Sequence, residues 1–136
     1  EFRRVLFRSH LVQQLGAEIC QCHPQAHDRA VAWISHLPVM VSSGLIQACQ
    51  QEPDGALLAL AQTLASSGFQ DTSRVGGGAP ELGTLMARYN REALLYTLGI
   101  YQRQIQRLTD MIQAQDWPGL GQQLAAAQAA RNAYLQ

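Results

Sequence analysis

The chain has 136 residues and a mass of 14.9 kDa, the size of one domain with a single core. Apolar residues make up 47% of it and charged residues only 15%, which excludes a disordered, highly charged chain and leaves a surface short of charge, as in an oligomer. The ten basic residues are all arginine and balance ten acids, so no field of one sign exists to recruit nucleic acid or anionic lipid, and neither partner is expected.

In chain order, EFRRVLFRS at residues 1–9 packs three arginines beside isolated apolar residues and matches nothing in the composition that follows. It reads as a translated sequencing-adapter scar and is left out of fold reasoning. Without it seven arginines face nine acids, a balance of −2. Next comes LVQQLGAEICQC, Leu11 to Cys22, a helix-like pattern that stops at Gly16 and gives way to a short strand around Ile19 and Cys20. Residues 10–23 are therefore expected to be the tail of an α/β layer that continues upstream. From His27 to Gln51, the apolar positions Val31, Ile34, Val41, Leu45 and Ile46 follow a 3.6-residue period and predict a long, mostly buried helix. Pro38 falls inside it, where the missing N–H and the clash with the carbonyl four residues back predict a kink costing ~3 kcal/mol.

A helix with Asp54 as N-cap and Gly68 as its stop is predicted over EPDGALLALAQTLASS. GFQDTSRVGGG, Gly68 to Gly78, then breaks the alanine- and leucine-rich texture and reads as a flexible polar loop. Pro80 opens the next helix, PELGTLMARYN. Between Asn90 and Gln115, the residues Leu94, Leu95, Leu98, Tyr101, Ile105, Leu108, Met111 and Ile112 step by three and four and predict a long amphipathic helix. Asp116 and Pro118 start an alanine-rich helix that runs to the end. The body of the chain, residues 24–136, is thus expected to be all-α with four to six helices. No run of 18 or more apolar residues occurs, so no membrane span is expected.

Candidate chemistry is sparse. Cys20, Cys22 and Cys49 form no zinc pattern and read as reduced thiols in a cytosol. His23 and His27 have the spacing of two metal ligands on a helix, but Pro24 places His23 ahead of the helix, and no metal is expected. His36, in SHLP, is either a satisfied buried histidine or a group put to use where the proline disturbs the backbone. Asp71 and Arg74, in DTSR, form either an i,i+3 ion pair or part of an anion site, since the guanidinium fork beside hydroxyls and glycines suits a carboxylate. Gly76 to Gly78 lack the G-x-G-x-x-G spacing of a phosphate loop.

HDRAVAWISHLP followed by LASSGFQDTSRVGGGAPELGTLM resembles the C-terminal helical domain of the prephenate and arogenate dehydrogenase family, most closely its cyanobacterial arogenate branch. The resemblance spans residues 10–136. It implies a cytoplasmic, homodimeric oxidoreductase of tyrosine biosynthesis that uses NADP or NAD, with the dinucleotide-binding domain and the catalytic residues upstream, and none of either within this chain. Residues 10–23 would be the last helix and strand of that Rossmann domain. The same resemblance makes Arg74 the anchor of the substrate carboxylate, with Asp71 holding the loop, and His36, Ser73 and Gly68 as further substrate contacts. Many prephenate-using members read HLPH where this chain has HLPV; Val39 therefore points to arogenate, with prephenate the other substrate the family admits. The other readings are a helical dimerisation module without activity and an unrelated helical bundle that binds a small acid.

Overall fold

The structure, a computed structural model, describes residues 2–135, with side chains from Phe7 to Leu135. Every regular element among them is helical. Helix α1, Phe2–Gln14, runs across residue 10 without a break, so the change in composition there leaves no mark on the backbone. It ends in a Schellman motif: Gly16 takes φ +79°, the Gly16 N–H donates to the Gln13 carbonyl and the Ala17 N–H to that of Val12. The strand expected around Ile19 and Cys20 does not form. A strand exists only against another strand, and among the described residues there is none.

Helix α2, Pro24–Val31, begins with Pro24 in its first turn and His23 extended at the N-cap, as the sequence predicts. It continues through a π-helical turn, Ala32–His36, into α3, Leu37–Cys49. Pro38, where a kink is expected, is preceded by this turn and the helix is not broken there. The Leu37 N–H reaches back five residues to the Ala32 carbonyl, so the ladder widens just before the residue that cannot donate. One inserted residue also rotates everything after it by about 100° about the helix axis. That rotation breaks the predicted stripe: the buried residues are Ala32, Leu37 and Ser42, while Ile34 is 63% exposed. The helix is therefore not mostly buried within this chain. By length and composition, Pro24–Cys49 is apolar enough to cross a membrane, with a mean hydropathy of 1.3 over its most apolar window. Its Ser42 and His36 nonetheless engage other elements of the chain, which is the behaviour of a central packing helix.

Asp54 caps α4, Gly55–Leu64, by accepting from the Ala56 and Leu57 N–H groups at 2.8 and 3.3 Å. This helix stops at Ala65 rather than Gly68, and the expected polar loop is largely helical. Helix α5 covers Ser67–Ser73, and a 3₁₀ turn follows at Arg74–Gly77. The Thr72 and Ser73 hydroxyls donate to the Gly68 and Phe69 carbonyls, four residues back, at 2.8 and 2.6 Å. Those side chains serve the helix itself. Gly76 is held in close contact with α3. The Gly76 N–H donates to the buried Ser42 hydroxyl at 2.8 Å, and a Cβ on Gly76 would lie 2.5 Å from the Ser42 carbonyl carbon and collide with the Ser43 nitrogen.

Helix α6, Pro80–Tyr89, and α7, Arg91–Gln113, match their predicted starts, and Asp116 caps α8, Trp117–Arg131, by accepting from the Gly119 N–H at 3.0 Å. The α2–α3 helix rests on α7, where Trp33 meets Tyr96 edge-on at 6.4 Å. The buried set is small: Ala32, Leu37 and Leu94, with Ser42 and Thr97. The accessible surface is 11,211 Å², whereas a compact monomer of this mass exposes roughly 7,000 Å². The elements form a spread layer of helices around small contacts.

The Gly76 contact yields a stability test. Gly76→Ala is expected to lower stability by about 1–3 kcal/mol, because neither side of the overlap is a flexible side-chain end. Chemical denaturation of the purified chain measures it, and a loss under about 0.5 kcal/mol would show that the turn is not held against α3 as described.

Candidate functional site

The α2–α3 helix carries two of the six residues marked out by the sequence, His36 and Val39. His36 ends the π turn, half-buried, with Nδ1 3.2 Å from the Asn90 side-chain nitrogen. Val39, three residues on, is half-buried near Gly83 of α6, its Cγ1 3.7 Å from the position a Cβ would take there. A further three residues along, Ser42 holds Gly76 and with it the turn that begins at Arg74. Each step of three turns the position by about 60° around the axis, so the three follow a slanted row and Ser42 faces about 120° away from His36.

Arg74 is exposed, at the joint between α5 and the 3₁₀ turn. Asp71 is also exposed, and the i,i+3 ion pair between them is absent: the ion pair found among the described residues joins His27 to Asp28 at 3.1 Å. Arg74 therefore presents its guanidinium to solvent from a fixed backbone. Ser73 is half-buried, its proton committed to the Phe69 carbonyl, which leaves only acceptor capacity for a ligand. Gly68 lies inside α5 with open space around its Cα.

Two residues escaped the sequence reading. Asn90 closes on His36 and on the Asp28 backbone carbonyl, the latter at 2.7 Å. Ser42 sets the height of the Arg74 turn. An asparagine ahead of a helix reads as a cap, and a serine in an apolar helix reads as filler; neither signal points to the distant partner.

Two clefts lie beside this helix. One, of about 660 Å³, opens between α2 and the α6–α7 joint and is lined by Arg29, Trp33, Asn90, Arg91 and Tyr96 among others. The second, of about 530 Å³, is an apolar groove between α3, α4 and α5, with Ile46, Leu58, Leu64 and Phe69. Neither is lined by His36 or Arg74. Cys20, Cys22 and Cys49 are free and exposed, and no cluster of three or more metal-ligating side chains occurs among the described residues.

These features define an all-helical domain built around the α2–α3 helix. Residues 23–126 match the family described as prephenate dehydrogenase, dimerization domain, and the chain belongs to that family. Among solved structures it is similar to the arogenate dehydrogenase of Synechocystis, with 51% identity and a TM-score of 0.90, over 98% of this chain and 48% of that one. The prephenate dehydrogenase of A. aeolicus, solved with hydroxyphenyl propionate and NAD+, shares the fold at a TM-score of 0.86 and 17% identity, over 98% of this chain and 46% of that one. The chain thus spans about half the length of the solved structures it matches. Family membership removes the reading as an unrelated helical bundle.

The residues present do not fit a dinucleotide. The one glycine cluster, Gly76–Gly78, has its first N–H engaged by Ser42 and its first Cα pressed on α3, so it cannot wrap a phosphate. Titration of the 136-residue chain with NADP+ or NAD+ is expected to give no saturable signal by calorimetry. Saturation at micromolar cofactor would show a binding surface outside the pattern described.

Proposed function

We propose that this chain is the substrate-anchoring and subunit-pairing part of a cytoplasmic arogenate or prephenate dehydrogenase, an enzyme that oxidatively decarboxylates a cyclohexadienol in tyrosine biosynthesis. Residues 10–23 are the end of the preceding dinucleotide-binding domain, and 24–136 are the helical domain. The hydride acceptor, NADP or NAD, is held by the part of the enzyme outside this chain, and no step of its chemistry is derived from these residues. The observation that carries the reading is Arg74, an exposed guanidinium without an ion-pair partner among the described residues, on a turn fixed to the helix that bears His36 and Val39.

Arg74 grips the substrate carboxylate by two parallel charge-assisted bonds, and Asp71 supports the turn or the domain contact. His36 meets a second polar group of the substrate, and Ser73 and Gly68 line the approach. Holding both ends orients the carbon that loses hydride and CO₂. Val39 gives no hydrogen bond to a keto-acid side chain, which favours the amino acid arogenate over prephenate.

Pairing follows from area. The surface of 11,211 Å² exceeds that of a compact monomer by roughly 4,000 Å², and large apolar side chains such as Ile34, Leu95, Ile105 and Ile112 are uncovered. A second copy covers them, with α7 and the α2–α3 helix in the interface. Multi-angle light scattering at micromolar concentration is expected to return a dimer of about 30 kDa whose melting temperature rises with concentration. A stable particle of 14.9 kDa would defeat this part of the reading.

Arg74→Ala in the full-length enzyme is expected to raise KM strongly with the fold intact. The loss in kcat/KM should be about 2–4 kcal/mol, against ~0–1 for a surface ion pair. Arg74→Lys should restore only part of it, because an ammonium lacks the planar fork. Steady-state kinetics with arogenate and prephenate measure all of this; a loss below about tenfold removes Arg74 from the site.

A further inference from the structure

Asn90 is the N-cap residue of α7, the kind of residue that ordinarily satisfies a helix's own first N–H groups, yet its side chain makes no cap bond. It reaches instead across the chain to two groups on the α2–π segment. The Asn90 side-chain nitrogen lies 2.7 Å from the Asp28 carbonyl oxygen and 3.2 Å from His36 Nδ1. A backbone carbonyl only accepts, so the atom facing Asp28 is the amide NH₂ and not Oδ1. Turning the amide over would set two oxygens against each other at that distance.

With one proton on Asp28, the other NH₂ proton is directed to His36, and Nδ1 must offer its lone pair. A neutral imidazole carries a single N–H, which then sits on Nε2. Protonation of Nδ1 would place N–H against N–H and break the contact. We infer that Asn90 is a positioning residue that locks His36 as the neutral Nε2–H tautomer, so that the ring presents a hydrogen-bond donor to an oxygen acceptor of the substrate. The class of group recognised is thereby narrowed to a hydroxyl, carbonyl or carboxylate oxygen; an ammonium has nothing to offer such a ring. The substrate half of this inference rests on the function proposed above, while the tautomer does not.

The test uses the full-length dehydrogenase labelled with ¹⁵N-histidine, by long-range ¹H–¹⁵N correlation at neutral pH without substrate, with His36→Gln identifying the His36 signals. The expected spectrum has a protonated Nε2 and an unprotonated Nδ1. Asn90→Asp, which offers Nδ1 an acceptor, should invert that pattern, and Asn90→Ala should lose the single tautomer. In kinetics, Asn90→Asp should raise KM by about tenfold or more with a smaller change in kcat, and should add little in a His36→Gln background. A protonated Nδ1 in the unmodified enzyme, or an unchanged tautomer in Asn90→Asp, overturns the inference; if the variants fail to fold, the spectrum of the unmodified enzyme decides alone. Should that spectrum show Nε2–H while Arg74→Ala and His36→Gln leave kcat/KM unchanged, the carboxylate site and the substrate role of the ring fall together, and the lock on the tautomer stands.

Discussion

Pro38 has no N–H to give, and the arrangement of the candidate site follows from how the helix accommodates that absence. In an ordinary α-helix the ring would press on the Ile34 carbonyl and leave it unpaired, at ~3 kcal/mol. Here the preceding turn opens to π geometry over Ala32–His36, and the Leu37 N–H takes the Ala32 carbonyl. The helix stays continuous for 26 residues. What changes is phase. Residues beyond the turn face a direction they would not otherwise reach, with Leu37 and Ser42 buried and His36 brought to Asn90.

A small-residue contact is the second consequence. Ser42 and Gly76 allow a 3₁₀ turn to sit directly on a helix backbone, and Ala32 and Thr97 mark a similarly close packing near α7. Close approach of backbones leaves little room for large side chains between them. The leucines, isoleucines and aromatics that an ordinary core would absorb remain on the outside, Ile34 at 63% and Leu95 at 52% exposure. Apolar area left uncovered in this way is what a partner surface would bury in the proposed dimer. Subunit pairing and the proposed anion-binding face are compatible for the same reason, because the helices are spread and not closed into a ball.

What the sequence revealed and what it hid divide along sequence distance. Gly16, Asp54, Pro80 and Asp116 were legible as stops, caps and first-turn residues because each acts on backbone groups within about five positions. The strand at Ile19 was not decidable, since alternation describes a face and pairing requires a second strand. The DTSR stretch misled in a different way. Polar residues between glycines signal a loop, but Thr72 and Ser73 bond four residues back within their own helix, an option that composition does not distinguish. His36 and Arg74 stood out through the family pattern. Asn90 did not, because its partners lie 54 and 62 residues away and nothing local marks them.

Distance along α3 gives the proposed site its scale. From His36 to Ser42 is six residues, a rise of about 9 Å, and Ser42 fixes the turn on which Arg74 stands. A substrate with a carboxylate at one end and an oxygen acceptor toward the other spans a separation of that order once the reach of the arginine is included. Val39 lies between the two, apolar and held near Gly83, where it offers the ring a surface and the polar ends nothing. With the Arg74 backbone pinned two residues downstream and the His36 ring held by Asn90, the exposed arginine side chain is the part a ligand must still order. In the proposed enzyme, recognition energy would then serve to orient the reacting carbon.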